Sequence, residues 1–187
     1  LPLQERLVNA AYHGFMARSC GMNTLDMTAM TEESLLLTYG MMLIGGGSAS
    51  TAGGIKVSTL AILVLAVWHE VRGNQDLTAF GRKVSAIVQR EALSVLVLAV
   101  GMLFAGIMAL RILSDLPLRQ VVFEAISAFA NVGLSMNATA LFPPAAQVVL
   151  ICLMFIGRVG TITVAVALAL RYRRASYHYP EERPIVG

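Results

Sequence analysis

The chain has 187 residues, of which 57% are apolar and 13% charged, and its mean hydropathy is +0.71. A soluble domain carries roughly 25% charged residues, so this composition excludes an ordinary soluble globular protein and points to the membrane class. The net charge of +3 is not gathered into a basic stripe with interleaved aromatics, which excludes nucleic acid as a partner, and Cys20 and Cys152 are too far apart in sequence to form a close-spaced metal or redox pair.

Four regions are apolar enough to enter a bilayer. The first, Leu7 to Met16, is too short to cross it. The chain opens on Leu1 without a signal-peptide pattern, and is expected to be a truncated or processed piece of a longer protein. The second region runs from Ser34 to Trp68. As one continuous helix it would reach about 52 Å, well beyond a hydrocarbon core of about 30 Å. It is interrupted by Gly45-Gly46-Gly47-Ser48-Ala49-Ser50-Thr51-Ala52-Gly53-Gly54. Each glycine costs a helix interior about 1 kcal/mol relative to alanine, so this stretch is expected to unwind. Unwound backbone at membrane depth survives only inside protein or beside a water-filled cavity. A polar linker follows, with His69, Glu70, Arg72, Arg82 and Lys83. The third region, Val84 to Leu113, and the fourth, Ala145 to Leu170, are long enough to span. Between them Leu118 to Ala130 is a second short apolar stretch that enters without spanning. The tail carries Arg171, Arg173, Arg174 and Arg183, and together with the basic linker it is assigned to the cytoplasm.

The chain matches itself. Leu1-Pro2-Leu3-Gln4 opens the first short helix and Leu116-Pro117-Leu118-Arg119 the later one. Each helix runs into a glycine turn, at Gly21 and Gly133. From Gly21 to Gly45 is 24 residues, and from Gly133 to Gly157 is again 24. The flanks agree, Met42-Leu43-Ile44-Gly45 against Met154-Phe155-Ile156-Gly157. A short helix ending at a glycine turn inside the membrane has the shape of a pore loop. Such a turn can aim successive carbonyls at one axis, where they replace an ion's hydration shell. A re-entrant hairpin packed in a bundle core is the alternative for either copy alone; two copies in order favour a pore.

These same residues resemble a known family. Gly46 to Val57 looks like the unwound loop of the third repeat in Trk/Ktr/HKT-type cation transporters. Ala17-Arg18-Ser19-Cys20-Gly21-Met22-Asn23-Thr24 resembles their third filter, and Phe123 to Ser135 the fourth. Phe155-Ile156-Gly157-Arg158-Val159-Gly160 is similar to their last helix, and Tyr179-Pro180-Glu181-Glu182 with Ile185-Val186-Gly187 to their tail. The resemblance implies an all-α membrane protein of repeated M1–pore loop–M2 units around a pseudo-fourfold pore, with a broken helix in the third unit. On that pattern residues 1–72 are the third repeat without its first helix, 73–83 a cytoplasmic linker, 84–172 the fourth repeat and 173–187 a cytoplasmic tail. It further implies potassium uptake in the cytoplasmic membrane. K+ would be held by backbone carbonyls of Ser19, Cys20, Gly21 and Met22 and of Asn131, Val132, Gly133 and Leu134. The gate would be residues Gly45 to Gly54, with Arg158 bonding carbonyls of that loop. No cofactor is implied. The implied partners are the lipid bilayer, the N-terminal half of the same protein, a second copy in a homodimer and a cytoplasmic nucleotide-binding gating subunit. The third filter departs from the pattern, since Ser19-Cys20-Gly21-Met22 stands where Thr-Ala-Gly-Phe is commoner; backbone coordination is expected to survive because only side chains change.

Arg158 in an apolar helix is a functional residue by default, with a structural tie between helices as the alternative. Glu124 either raises the local cation concentration or bonds neighbouring backbone. Lys56 is expected to snorkel to the cytoplasmic face, and His13, without metal partners at ligand spacing, to pack. Gly47 to Gly53 has the outer spacing of a phosphate loop, but Gly53-Gly54-Ile55-Lys56 lacks the Gly-Lys-Ser/Thr that a Walker A motif needs. No Ser/His/Asp, His/Glu/His or paired-carboxylate set lies at membrane depth, so an enzyme is not expected. The alternative to transport is a scaffold or regulatory fragment that binds a partner subunit.

Overall fold

The computed structural model describes residues 3–18, 20–47, 53–73, 78–79 and 82–160. Ser19, residues 48–52 of the glycine-rich loop, the last part of the fourth apolar region and the tail 173–187 lie outside the described residues.

Helix α1 (Leu3–Met16) begins earlier than its apolar pattern, because Gln4, Glu5 and Arg6 form a polar first turn. A 3-10 turn, Met27–Ala29, follows, with Asp26 accepting from Thr28 N at 2.9 Å. Helix α2 (Glu32–Leu43) starts at a Thr31 cap and carries Glu32 and Glu33 in its first turn, where acidic groups meet the positive end of the helix. Helix α3 (Val57–Val71) resumes thirteen residues beyond the end of α2.

Helix α4 (Ala86–Leu113) is capped by Ser85, and its 28 residues reach about 42 Å. Among the described residues it is the one helix long and apolar enough to cross a membrane. Helix α5 (Leu118–Ala130) follows Pro117, which presets the entry angle, and its 13 residues rise only about 20 Å. Helix α6 (Pro144–Phe155) has Pro144 at its first position, where the missing N–H is no loss. It continues into a π-helical turn, Ile156–Gly160.

One expectation is amended. Two two-residue strands, β1 (Thr78–Ala79) and β2 (Arg82–Lys83), pair antiparallel with Thr78 opposite Lys83. The polarity of this stretch predicts a plain linker. The fold is otherwise helical.

Helix α5 organises the packing. Phe123 to Ala130 are buried without a break, so α5 is covered on all sides although it is only 13 residues long. One face of it, with Val121, Ala125 and Phe129, packs with Leu110 of α4 and Leu150 and Leu153 of α6. The other, with Phe123, Ile126 and Ala130, packs with Leu35 and Met42 of α2 and with Ala17 and Met27. Gly106 lets α4 and α6 close up: a Cβ there would stand 2.6 Å from Leu153 Cδ2, the small-residue contact typical of membrane helices. Helix α1 differs, with Leu7, Val8 and Phe15 all exposed.

Arg119, in the first turn of α5, ties that helix to α2. It donates to Met30 O at 2.7 Å and pairs with Glu32 at 3.0 Å, while Tyr39 Oη donates to Arg119 O at 3.4 Å.

Candidate functional site: two glycine turns over a glycine-rich loop

After α1 the chain turns at Gly21, φ +64°. After α5 it turns through Asn131, φ +53°, and Gly133, φ +88°. These two turns, 112 residues apart in sequence, meet backbone to backbone. A Cβ on Gly21 would lie 2.8 Å from Val132 O and 3.0 Å from Gly133 Cα; one on Gly133 would lie 3.3 Å from Gly21 Cα. Conformation favours glycine at both positions, and at Gly21 the space requires it as well. Cys20 and Met22 beside the first turn are exposed. Val132 and Leu134 beside the second are buried.

The second turn is held from behind by α5. Val132 N donates to Ser127 O at 3.0 Å and Asn131 N to Ala128 O at 3.1 Å, which closes the helix end. Ser127 Oγ donates to Leu134 O at 2.5 Å. That carbonyl, one of the expected filter groups, is thus turned toward α5. Glu124, which sequence reasoning left between two roles, accepts from Ser135 Oγ, Met136 N and Thr139 Oγ1 at 2.5, 3.0 and 2.8 Å. A cavity of about 200 Å³ opens beside this cluster, lined by Ser127, Asn131 and Gly133 among others.

The first turn is held more loosely. Thr24 Oγ1 donates to Asn9 Oδ1 at 3.2 Å and Asn23 Nδ2 to Leu25 O at 3.0 Å. The hydroxyl and N–H of Thr28 hold the exposed Asp26 carboxyl below its ordinary range. His13 makes a 3.0 Å hydrogen bond to Thr38 Oγ1, the packing role expected of it.

The glycine-rich segment lies against the end of α5. Its two necks pair with each other as a parallel bridge between Ile44 and Ile55. Gly45 N donates to Ile55 O at 2.9 Å, Ile55 N to Leu43 O at 3.2 Å and Val57 N to Gly46 O at 3.3 Å. Because the pairing is parallel, the chain leaves α2, makes a closed excursion and re-enters in the direction it left. Gly53 abuts Ala130 and Asn131, where a Cβ would come within 2.9 Å of Ala130 O, and Gly54, at φ +72°, faces Ala130. Gly54 N donates to Gly157 O at 3.3 Å. Gly157 is itself seated on Phe129 O, leaving no room for a side chain. Asn131 Nδ2 donates to Met154 O at 2.9 Å, just before the π turn. An α-to-π change disturbs the i→i−4 ladder at that point.

Of the expected site residues, the structure thus brings Gly21, Asn131, Val132, Gly133, Gly53 and Gly54 into one assembly, with Gly157, which was not among them, beside the loop. The side chain of Arg158 is exposed. Among the described residues the tie between its turn and the loop runs through the backbone of its neighbour Gly157. Residues 48–52, which carry half the expected gate, lie outside the described residues. Lys56 occupies the N-cap position of α3 and is half-buried. Among the described residues no group of His, Cys, Asp and Glu side chains could hold a metal ion. Sequence reasoning missed the Arg119 tie and the Asn131 side-chain bond. The signal for the second was present: Asn follows a helix directly before Val-Gly, and Asn is the non-glycine residue most at home in the left-handed C-terminal turn.

Helix α5, which ends in a glycine turn, packs on α4, the one described helix long and apolar enough to cross a membrane. Residues 1–178 match the family model TrkH, described as a cation transport protein, and the chain belongs to this family of transporters, which are not enzymes. It is 34% identical over 187 residues to the Ktr system potassium uptake protein B of Bacillus subtilis (strain 168), covering all of this chain and 42% of that protein. It is 35% identical over 189 residues to the potassium/sodium uptake protein NtpJ of Enterococcus hirae, covering 98% of this chain and 42% of the relative. It is 36% identical over 178 residues to the Ktr system potassium uptake protein B of Vibrio alginolyticus, covering 95% and 39%. The chain therefore spans about two-fifths of the length of these curated relatives.

Proposed function

We propose that the protein to which this chain belongs takes up K+ across the cytoplasmic membrane, as a multi-pass subunit, through a filter of backbone carbonyls. The observation that carries this reading is the backbone contact of the Gly21 and Gly133 turns, with the Gly53–Gly54 segment packed against Ala130 and Asn131 at the end of α5. Two adjacent turns make one side of a ring. The remaining side would come from the N-terminal half, completing four M1–pore loop–M2 units. On this reading α1, α2 and α3 belong to the third unit (1–72), with α2 and α3 as the halves of one broken helix; the parallel bridge at the neck supports it. Helices α4, α5 and α6 form the fourth unit (84–172).

Carbonyls at Cys20, Gly21, Val132 and Gly133 would replace the hydration shell of the ion. The segment Gly45 to Gly54 would close the path below, with Arg158 as a charge that biases the closed arrangement. The relatives' names support K+ as cargo, and that of the Enterococcus hirae protein adds Na+ as a second one. The naming of two relatives as parts of a Ktr system supports a partner subunit; on this reading it is a cytoplasmic nucleotide-binding gating subunit, with the 73–83 linker and the tail as its contact surface. Homodimerisation belongs to the same reading.

The test uses the full-length gene in a bacterium without its own potassium uptake, beside Gly133→Ala and Arg158→Ala. Growth at low potassium with the parent, none with Gly133→Ala at equal membrane level, and faster uptake with Arg158→Ala is the expected result. Equal rescue by the parent and Gly133→Ala would remove the filter assignment. Unchanged flux with lost expression for Arg158→Ala would make that residue a structural tie. No rescue by any version, with good expression, would leave the scaffold reading.

A further inference from the structure

We infer that Glu124 sets ion discrimination from behind the fourth turn, by fixing the limb that leaves Gly133, without touching the ion. This rests on the filter reading above. The Glu124 carboxylate is buried, 5% exposed, and its three hydrogen-bond donors all lie within residues 135–139. Oε1 takes Ser135 Oγ at 2.5 Å and Met136 N at 3.0 Å, and Oε2 takes Thr139 Oγ1 at 2.8 Å. The two hydroxyl oxygens also lie 3.2 Å from each other, side by side under the carboxylate. Ser127, one turn along the same face of α5, donates to Leu134 O. Two side chains on one buried helix thereby hold the outgoing limb at Leu134, Ser135, Met136 and Thr139. An ionised acceptor makes such bonds shorter and roughly twice as strong as neutral ones.

Among the described residues the other turn shows no buried carboxylate of this kind. At the 112-residue offset that relates Gly21 to Gly133, Tyr12 and Phe15 stand where Glu124 and Ser127 stand. Phe15 is exposed, and the limb after Gly21 is held by the neutral Asn9 amide. The half-ring is therefore unequal: one turn is fixed by a buried carboxylate, while the limb after the other has the neutral Asn9 amide and the exposed carboxylate of Asp26. Discrimination between ions of equal charge depends on how rigidly the carbonyls keep their spacing and number. The braced turn is the one that can enforce it.

The role predicts a change in ratio rather than in total flux. K+ and Na+ uptake would be measured separately in vesicles carrying the full-length protein, for the parent, Glu124→Gln, Thr139→Val and Gly133→Ala. Gln keeps the shape but not the charge; Val at 139 removes one donor and leaves the carboxylate. Glu124→Gln is expected to lower the K+/Na+ ratio about threefold to tenfold, the range set by weakening one charge-assisted hydrogen bond. Thr139→Val should move it in the same direction by less, and it stands as the test if Glu124→Gln does not reach the membrane. A surface-charge role gives the opposite pattern. Glu124→Gln would then lower K+ and Na+ uptake together, the ratio would hold, and the loss would shrink at high ionic strength; that result overturns the inference. An unchanged ratio in Thr139→Val together with an unchanged ratio in Glu124→Gln also overturns it. If Gly133→Ala abolishes uptake while both ratios hold, only the role of Glu124 fails. If Gly133→Ala leaves uptake and ratio as in the parent, the filter reading itself fails.

Discussion

Alanine at Gly21 and alanine at Gly133 should not be equivalent. Gly133 sits at φ +88°, and a Cβ there meets only Gly21 Cα, at 3.3 Å. A small relaxation relieves that contact, so the cost is that of the backbone conformation alone, about 1–3 kcal/mol. Gly21 sits at φ +64° and carries a similar conformational cost. Its Cβ would also stand 2.8 Å from Val132 O and 3.0 Å from Gly133 Cα. Those are backbone atoms, which cannot rotate aside, and forced overpacking adds about 1–3 kcal/mol. Gly21→Ala should therefore cost about twice as much as Gly133→Ala. Asparagine separates the two terms, because it tolerates positive φ but still brings a Cβ. The assay is thermal unfolding of the purified full-length protein in detergent, read beside rubidium uptake in vesicles. The expected order of melting temperature is parent, Gly133→Ala, Gly21→Ala, with Gly21→Asn above Gly21→Ala but below the parent. An equal or reversed order of the two alanine variants would refute the contact between the turns as described.

Gly106→Val should lower the melting temperature, since its side chain would enter the space held by Leu153, whereas Gly101→Ala, with nothing within 4 Å, should leave it level or raise it through a gain of up to about 1 kcal/mol. Arg119→Ala should destabilise the contact between α2 and α5 by about 1.5–3 kcal/mol through the bond to Met30 O. Because Glu32 is 77% exposed, the ion pair adds little, and unfolding curves at low and high salt should give nearly the same loss. Asn131→Asp keeps the left-handed turn but sets an acceptor against Met154 O. It should cost about 1–3 kcal/mol and impair uptake at normal membrane levels, which western blotting and rubidium flux would check together.

The glycines were legible because each answers a local demand. Gly21, Gly54 and Gly133 all take positive φ, and Gly45, Gly53 and Gly157 sit where backbone approaches backbone. The helix following Pro117 could be bounded from sequence because its apolar run stops at a turn. The start of α1 was hidden by its polar first turn, and that of α2 by reading apolar content ahead of the Thr31 cap. The Arg119 tie was beyond reach for a different reason. Glu32 and Met30 are 87 and 89 residues away, and an arginine near a helix start has no local feature that names its partner. The π turn at Ile156–Gly160 was likewise silent, since its cause is the seat of Gly157 on another helix and not its own composition.

The paired necks at Ile44 and Ile55 have a consequence for how such a protein can change over time. A loop whose two ends leave and rejoin the chain at one place can be lengthened, shortened or exchanged without turning α3 about its axis or sliding it along the bilayer normal. Closure entropy grows only by about 0.6 kcal/mol for each doubling of loop length. The segment under the turns is therefore a cartridge. Apart from the close-packed Gly45, Gly53 and Gly54, its sequence can drift, or be grafted from a relative, while the helices that carry it keep their register.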